Sequence, residues 1–313
     1  MRYIKDLRPG DTVTEIYLCK SKQILKTKAG KTYYSMVFQD KTGIVDAKVW
    51  DLSPGLEHFE EMDFIYVDGQ VTTFQNANQL NCRRIRRAKE GEYLQSDYMP
   101  ASKYNIDEMY KELLGFVAGV KNKYLHELLE FFFLKDAAFA KSFKDHSAAK
   151  SVHHGFVGGL LEHTLSVTKL CEFYTQRYPI LNHDLLITAA LCHDIGKTRE
   201  LSLFPANDYT DEGQLVGHIV TGVEMIHDAI KTIPGFPAVL ANELKHCIVA
   251  HHGELEFGSP KKPALIEAMA LNMADNTDAK IQTLTEVFEK SDDTLDWLGF
   301  NRFVDSNIRK TSK

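Results

Sequence analysis

The sequence predicts a multidomain protein: an N-terminal all-β barrel followed by an all-α domain. Three observations carry this. Apolar residues alternate with period two up to about Ala88, they recur at helical spacing from about Asn105, and a polar stretch, "EGEYLQSDYMPASKYN", separates the two regimes. The boundaries expected are a barrel over 1–90, a linker over 91–104, a helical connecting segment over 105–150, the main helical domain over 151–300 and a loose polar tail over 301–313.

The strands follow in order. "DTVTEIYLCKSKQILKT" is rich in β-branched and apolar residues, and "KTYYSMVFQD" alternates Tyr34, Met36 and Phe38 with more polar neighbours. The turn "DKTG" at Asp40–Gly43 leads into "IVDAKVW". A short helix near Pro54–Phe59 precedes "DFIYVDGQVTTFQ", the turn "NAN" and "QLNCRRIRRA". Five strands in under about 90 residues fit a small barrel of the OB type, a fold that binds single strands on strand faces and loops. After Asn105, Ile106, Met109, Tyr110, Leu113, Leu114 and Val117 mark the first helix, and further helical segments run to about Phe288.

Composition narrows the class without naming a partner. Of 313 residues 44% are hydrophobic and 26% charged, as in ordinary globular proteins. No apolar run reaches the roughly 18 residues of a membrane span, and "MRYIKDLRPGD" has no signal-peptide core. The five cysteines show no CxxC pair, which fits reduced thiols and a cytoplasmic location. The net charge of −6 speaks against nucleic acid at first sight, yet residues 1–95 carry 15 Lys and Arg against 13 Asp and Glu. Acids that hold divalent cations would reverse the local sign elsewhere.

The chemistry lies in histidines and aspartates on helices. His163 sits in "GGLLEHTLSVTKL", and His193-Asp194 closes the apolar run "LLITAALCHD". His218 opens "GHIVTGVEMIHDAI", His251-His252 end "ANELKHCIVAHHG", and Asp275 lies in "ALIEAMALNMADNTDAK" on the face of Ala268, Leu271 and Asn272. Polar groups on buried faces are costly unless something binds them. Five helices presenting such residues in the order H, HD, H, HH, D therefore point to one shared site. His227, nine residues or about 180° round the helix from His218, is expected to face solvent. His246 is off the face of His251, and His58, His126, His146 and His183 have no supporting context.

This ordered set resembles the HD-domain metal-dependent phosphohydrolases, with His218, His251 and His252 matching the extra histidines of their two-metal members. The whole chain resembles the YhaM-type 3′→5′ exoribonucleases, through "SVHHGFVGGLLEHT", "CHDIGK", "VAHHG" and "MADNTDAK" after a barrel. The resemblance implies two divalent cations. His163, His193, Asp194 and Asp275 would surround one, and Asp194 would bridge to a second completed by His218 and His251. Among these side chains only a carboxylate readily bridges cations about 3.5–4 Å apart. Asp194, Lys197 and His252 are the expected catalytic residues, with His252 and Lys197 toward the phosphate, Lys197 having a solvated lysine as its alternative reading. His153, His154 and Asp278 are candidates for lining the site, Asp278 from behind the ligands. Mixed imidazole and carboxylate ligands suit Mn²⁺ first, with Fe, Ni, Co, Zn and Mg as alternatives.

The activity so implied is two-metal hydrolysis of phosphodiester bonds in single-stranded RNA, with single-stranded DNA a second candidate, releasing 5′-mononucleotides. A homo-oligomer is open and a membrane partner is not expected. The strand would bind the barrel, where Tyr33, Tyr34, Phe38, Trp50, Tyr66 and Phe74 supply rings, about half of them expected in the core. Tyr34, Phe38, Lys26, Lys28, Arg84 and Arg86 are the contacts expected, although "RRIRR" also reads as an exposed edge strand. Two alternatives stand beside this reading: a phosphohydrolase of small nucleotides whose barrel serves oligomerisation, and a non-catalytic nucleic-acid-binding protein.

Overall fold

The computed structural model describes residues 1–313 apart from 53–56, 76, 95–96, 151–153, 292–295, 303 and 313. The chain divides into two compact units, Met1–Ala101 and Ser102–Lys313.

In the first unit five strands close into a barrel: β1 (Thr12–Lys26), β2 (Thr32–Asp40), β3 (Gly43–Val49), β4 (Phe64–Phe74) and β5 (Ala77–Arg87). The order round the barrel is β1-β2-β3-β5-β4, with β3 and β5 parallel and all other pairs antiparallel. This is the arrangement of an OB fold. The long β1 serves both sides of the closure. Its first half pairs with β4 (Thr12↔Gln70) and its second with β2 (Lys26↔Thr32). Period-two alternation sends Val13, Tyr17, Met36, Phe38, Val45, Ala47, Ile65, Val67 and Leu80 into one core. Gly69 lies where β4 slips register against β5, and a Cβ there would stand 2.6 Å from Asn81 O. Along the "RRIRR" run β5 pairs with β4 on one side, while its pairing with β3 is confined to Gln79–Asn81. The short helix expected near Pro54–Phe59 falls partly outside the described residues, and Glu57–Phe59 are not helical.

The second unit begins with α1 (Ile106–Gly119), α2 (Lys123–Glu130) and α3 (Ala137–Asp145). Asn105 and Asn122 cap the first two through side-chain oxygens that accept main-chain N–H groups, and Asp136 does the same for α3. Then come α4 (Gly159–Arg177), α5 (His183–Cys192), the short α6 (Lys197–Glu200) and α7 (Asp211–Leu215), α8 (His218–Lys231), α9 (Ala238–Val249) and α10 (Ile266–Lys290). The segment expected as a connector is part of this body: Leu113, Leu125, Phe133 and Phe143 share one core with α4, α5, α8, α9 and α10. α5 is its axis, buried at every position from Leu185 to Cys192. Each fully buried Leu or Ile contributes roughly 1.5–3 kcal/mol, which offsets the cost of the polar groups at the end of α5. The tail expected to be loose instead carries a hairpin, β6 (Trp297–Asn301) with β7 (Ser306–Arg309).

Candidate metal centre and strand-binding face

α5 delivers His193 and Asp194 to the middle of the helical unit, where both are buried. The chain continues through Gly196 into α6. A Cβ on Gly196 would stand 2.0 Å from His218 O and 2.8 Å from Gly222 N, so the turn after Asp194 rests directly on the first turn of α8. Gly159 does the same for α4, whose first turn lies against His154 O. The chain past α9 turns at Gly253, with φ of 80°, and the Asn272 amide of α10 donates to His251 O at 2.7 Å.

These contacts bring the predicted residues of five helices and their ends together around Asp194. Its Oδ2 lies 3.3 Å from His193 Nε2 and 3.5 Å from His163 Nε2, which is itself 3.2 Å from Asp275 Oδ1. Its Oδ1 lies 3.5 Å from His218 Nε2 and 3.7 Å from His251 Nε2. One carboxylate thus faces two histidine pairs, one with each oxygen.

The far nitrogens settle what the near ones can do. His193 Nδ1 donates to Ala190 O at 2.8 Å and His251 Nδ1 to Ile248 O at 2.7 Å. His163 Nδ1 lies 2.7 Å from Asp278 Oδ2, and His218 Nδ1 lies 2.8 Å from Glu200 Oε1. Carbonyl and carboxylate oxygens only accept, so each Nδ1 carries a hydrogen. Nε2 of His193, His218 and His251 is left to offer a lone pair inward, and His163 Nε2, 3.2 Å from both His193 Nε2 and Asp275 Oδ1, holds a proton that a metal would displace. Asp194 Oδ1, His218 Nε2 and His251 Nε2 are buried without a hydrogen-bond partner. Three converging acceptors leave nothing to donate between them, an arrangement that a cation satisfies. His163, His193 and Asp275 form a second group whose ligand atoms lie within 4.8 Å of one another, as do His218, His251 and His252. The residues fit two divalent ions.

Electrostatics agree with that geometry. Burial alone would push the His163 imidazole down, yet hydrogen bonds to Asp275 and Asp278 hold it up at about 10. The carboxylates that keep a proton there would equally hold a metal. Burial, then the neighbouring His252 and His193, push His251 well down, so it is the neutral imidazole that metals bind. Burial opposes ionisation of Asp194, but Lys197 and His193 hold its carboxyl well below the usual range. Lys197 is not the solvated lysine of its alternative reading: its side chain is 12% exposed and Nζ lies 2.7 Å from Asp194 Oδ2.

The remaining candidates divide. Asp278 takes hydrogen bonds from His163, His154 (3.0 Å) and Ser166. His154 is buried in this network, with φ of 56°, while His153 lies outside the described residues. His252 is only half-buried beside the fully buried His251, their ring centroids 4.3 Å apart. His227 is exposed, and His246 accepts from Ala264 N at 2.8 Å. His146, passed over by the sequence, lies buried between Ser142 O and Leu201 O. Glu200 was passed over too, and so was Ser166. The sequence carries no signal for Glu200, an acid in the polar stretch "KTREL".

The barrel requires a correction. Phe38 is 0% exposed, stacked on Tyr17 in the core, and cannot meet a nucleotide. Tyr34 also turns inward, its ring edge-on to Phe59 and covered by Lys22. Arg86 lies over Tyr66 and is engaged by both oxygens of Glu92. Lys26, Lys28 and Arg84 are exposed, the lysines at the β1–β2 hairpin. The outward face instead carries Tyr33 and Trp50, stacked at 4.7 Å, with Trp50 45% exposed and its Nε1 donating to Asn81 Oδ1. Lys48 and the exposed Lys31 and Arg83 stand on the same strands or their turns.

A family model described as HD domain matches residues 160–280. A protein of Geobacillus sp. (strain WCH70) named 3′-5′ exoribonuclease YhaM is 33% identical over 283 residues, covering 90% of this chain and 86% of its own length. Proteins of the same name from Listeria innocua (33% over 288 residues, 91% and 90% covered) and Bacillus velezensis (34% over 283 residues, 90% and 89% covered) are similar to the same extent.

Proposed function

The chain belongs to the family of YhaM 3′→5′ exoribonucleases, and from that premise we propose that it removes nucleotides from the 3′ end of single-stranded RNA at a two-cation centre bridged by Asp194. The observation that carries the reading is the division of Asp194: Oδ2 toward His163 and His193, Oδ1 toward His218 and His251. His163, His193 and Asp275 would hold the first ion with Asp194, and His218 and His251 would hold the second. Bound there, two divalent ions lower the pKa of water and neutralise charge gathering on the phosphoryl oxygens. Mixed nitrogen and oxygen donors favour Mn²⁺ or a similar transition ion over Mg²⁺.

The protein's own groups do the rest. Lys197, largely buried beside Asp194, keeps its charge against burial and holds it 2.7 Å from the Asp194 carboxylate, where it would meet a phosphate oxygen. His252, less buried than its neighbour, is the imidazole placed to donate toward the substrate. On the barrel, the Tyr33–Trp50 stack with Lys31, Lys48 and Arg83 offers rings and cations side by side, which suits successive bases and phosphates of a single strand. Lys26, Lys28 and Arg84 add exposed charge.

The test incubates the full chain with Mn²⁺ and a 5′-labelled single-stranded oligoribonucleotide. Stepwise shortening with release of 5′-mononucleotides is the expected outcome. Inertness on oligonucleotides with turnover of free nucleotides would replace this reading with a small-nucleotide phosphohydrolase.

A further inference from the structure

Each metal-facing imidazole needs an acceptor behind it, a carbonyl for His193 and His251 and a carboxylate for His163 and His218. His193 and His251 stand at the C-terminal ends of α5 and α9, where the carbonyl three residues earlier accepts from Nδ1. His218 is the first residue of α8, preceded by Gly217, and has no earlier turn of its own helix to serve. Glu200 supplies what is missing. Its Oε1 lies 2.8 Å from His218 Nδ1 and also accepts the His218 main-chain N–H at 3.1 Å. On the opposite edge of the ring, Nε2 faces Asp194 Oδ1 at 3.5 Å. One imidazole is therefore gripped between two carboxylates of a single segment, Asp194 in the turn before α6 and Glu200 at the end of α6.

Lys197 lies between them in sequence with its Nζ on Asp194, and Gly196 presses the same segment against the carbonyl of His218. Asp194, Lys197 and Glu200 thus form one rigid face against which α8 begins. Resting on the two-cation reading, we propose that Glu200 is a positioning residue of the second half of the centre. It fixes His218 with Nδ1 protonated and Nε2 bare toward Asp194 Oδ1, and so sets affinity for the second divalent ion. Carboxylates in this role change metal affinity about 10–100-fold.

The experiment measures Mn²⁺ binding by calorimetry on the full chain for wild type, Glu200→Ala and Glu200→Gln, with melting of each in EDTA. Wild type is expected to bind two equivalents. Glu200→Ala should keep one at wild-type affinity and weaken the other about 10–100-fold, while Glu200→Gln, which retains an acceptor oxygen, stays within a few-fold of wild type. Unchanged binding of both equivalents by Glu200→Ala overturns the proposal. So does loss of both together with an equally lowered melting temperature in EDTA, which would mark a merely structural contact. Should Glu200→Ala not fold, nitrogen-15 spectra of the histidine rings in metal-free wild type decide alone: a His218 protonated on Nε2 and bare at Nδ1 overturns the proposal. Wild type binding fewer than two equivalents would instead sink the two-cation reading, and the ring spectra would still judge Glu200.

Discussion

At the scale of single residues, the centre turns on which oxygen of Asp194 faces which histidine. Replacing Asp194 by Ala removes the one group common to both halves. Loss of hydrolysis by about 10³-fold or more is expected, since a metal centre supplies several kcal/mol of charge stabilisation, while oligonucleotide binding persists. His227→Ala, on the exposed face of α8, should leave turnover within about twofold. Parallel assays of the two variants on one labelled oligonucleotide check both, and an inert His227 variant would contradict the assignment of faces. The gathering of these residues was legible because each histidine or aspartate interrupts an apolar pattern, as His193-Asp194 does after "LLITAALC". Glu200 was not legible, because an acid in the polar stretch "KTREL" reads as solvated until α8 packs on it. Phe38 misled for the opposite reason. The alternation that groups Tyr34, Met36 and Phe38 on one face is the alternation that buries Met36 and Phe38 and packs the half-buried Tyr34 against them.

Elements matter here chiefly through their ends. Gly196→Ala puts a methyl 2.0 Å from His218 O, main chain that cannot rotate away, so α8 must move off the α5–α6 turn. A loss of about 1–3 kcal/mol is expected from overpacking, read from the urea midpoint, together with weaker Mn²⁺ binding. At the other end of α5, His183 lies 2.9 Å from both Glu172 and Asp184, and Asp184 accepts main-chain N–H groups of Lys121 and Asn122. Burial would lower the His183 pKa, but hydrogen bonds to Asp184 and Glu172 raise it overall. Its contribution is therefore complete below the ordinary histidine value of about 6.5 and fades as pH rises through the raised value. At a side chain 40% exposed, the effect is that of a surface pair, about 0.2–1 kcal/mol. His183→Gln should flatten that part of the stability-against-pH curve, and an unaltered curve would refute the assignment. Strand and helix periods were readable from sequence because burial is one-sided in both. The hairpin Trp297–Arg309 was not, because its residues are mostly exposed and show no periodic apolar face.

For the whole molecule, the proposed function assigns strand binding to the barrel and chemistry to the helical unit. Trp50→Ala should weaken binding of a single-stranded oligonucleotide by about 1–3 kcal/mol, the worth of a stacked base, with hydrolysis of a minimal phosphodiester unchanged. Fluorescence anisotropy beside a chromogenic assay checks this, and unaltered affinity would move the strand elsewhere. Mn²⁺ at about 100 times its dissociation constant should stabilise the helical unit by about 2.7 kcal/mol per site, seen as a melting temperature that falls on chelation. No described helix is long and apolar enough to cross a membrane. The order in which ligands occur along the chain has a consequence in time. All five barrel strands are complete by Arg87, so that unit can close while the helical unit is still being synthesised. His163, His193, Asp194, His218 and His251 then emerge in turn, but Asp275 comes only with α10. On the reading proposed above, a nascent chain halted after His251 lacks the residue that would close the first half of the centre, so cutting would wait for α10.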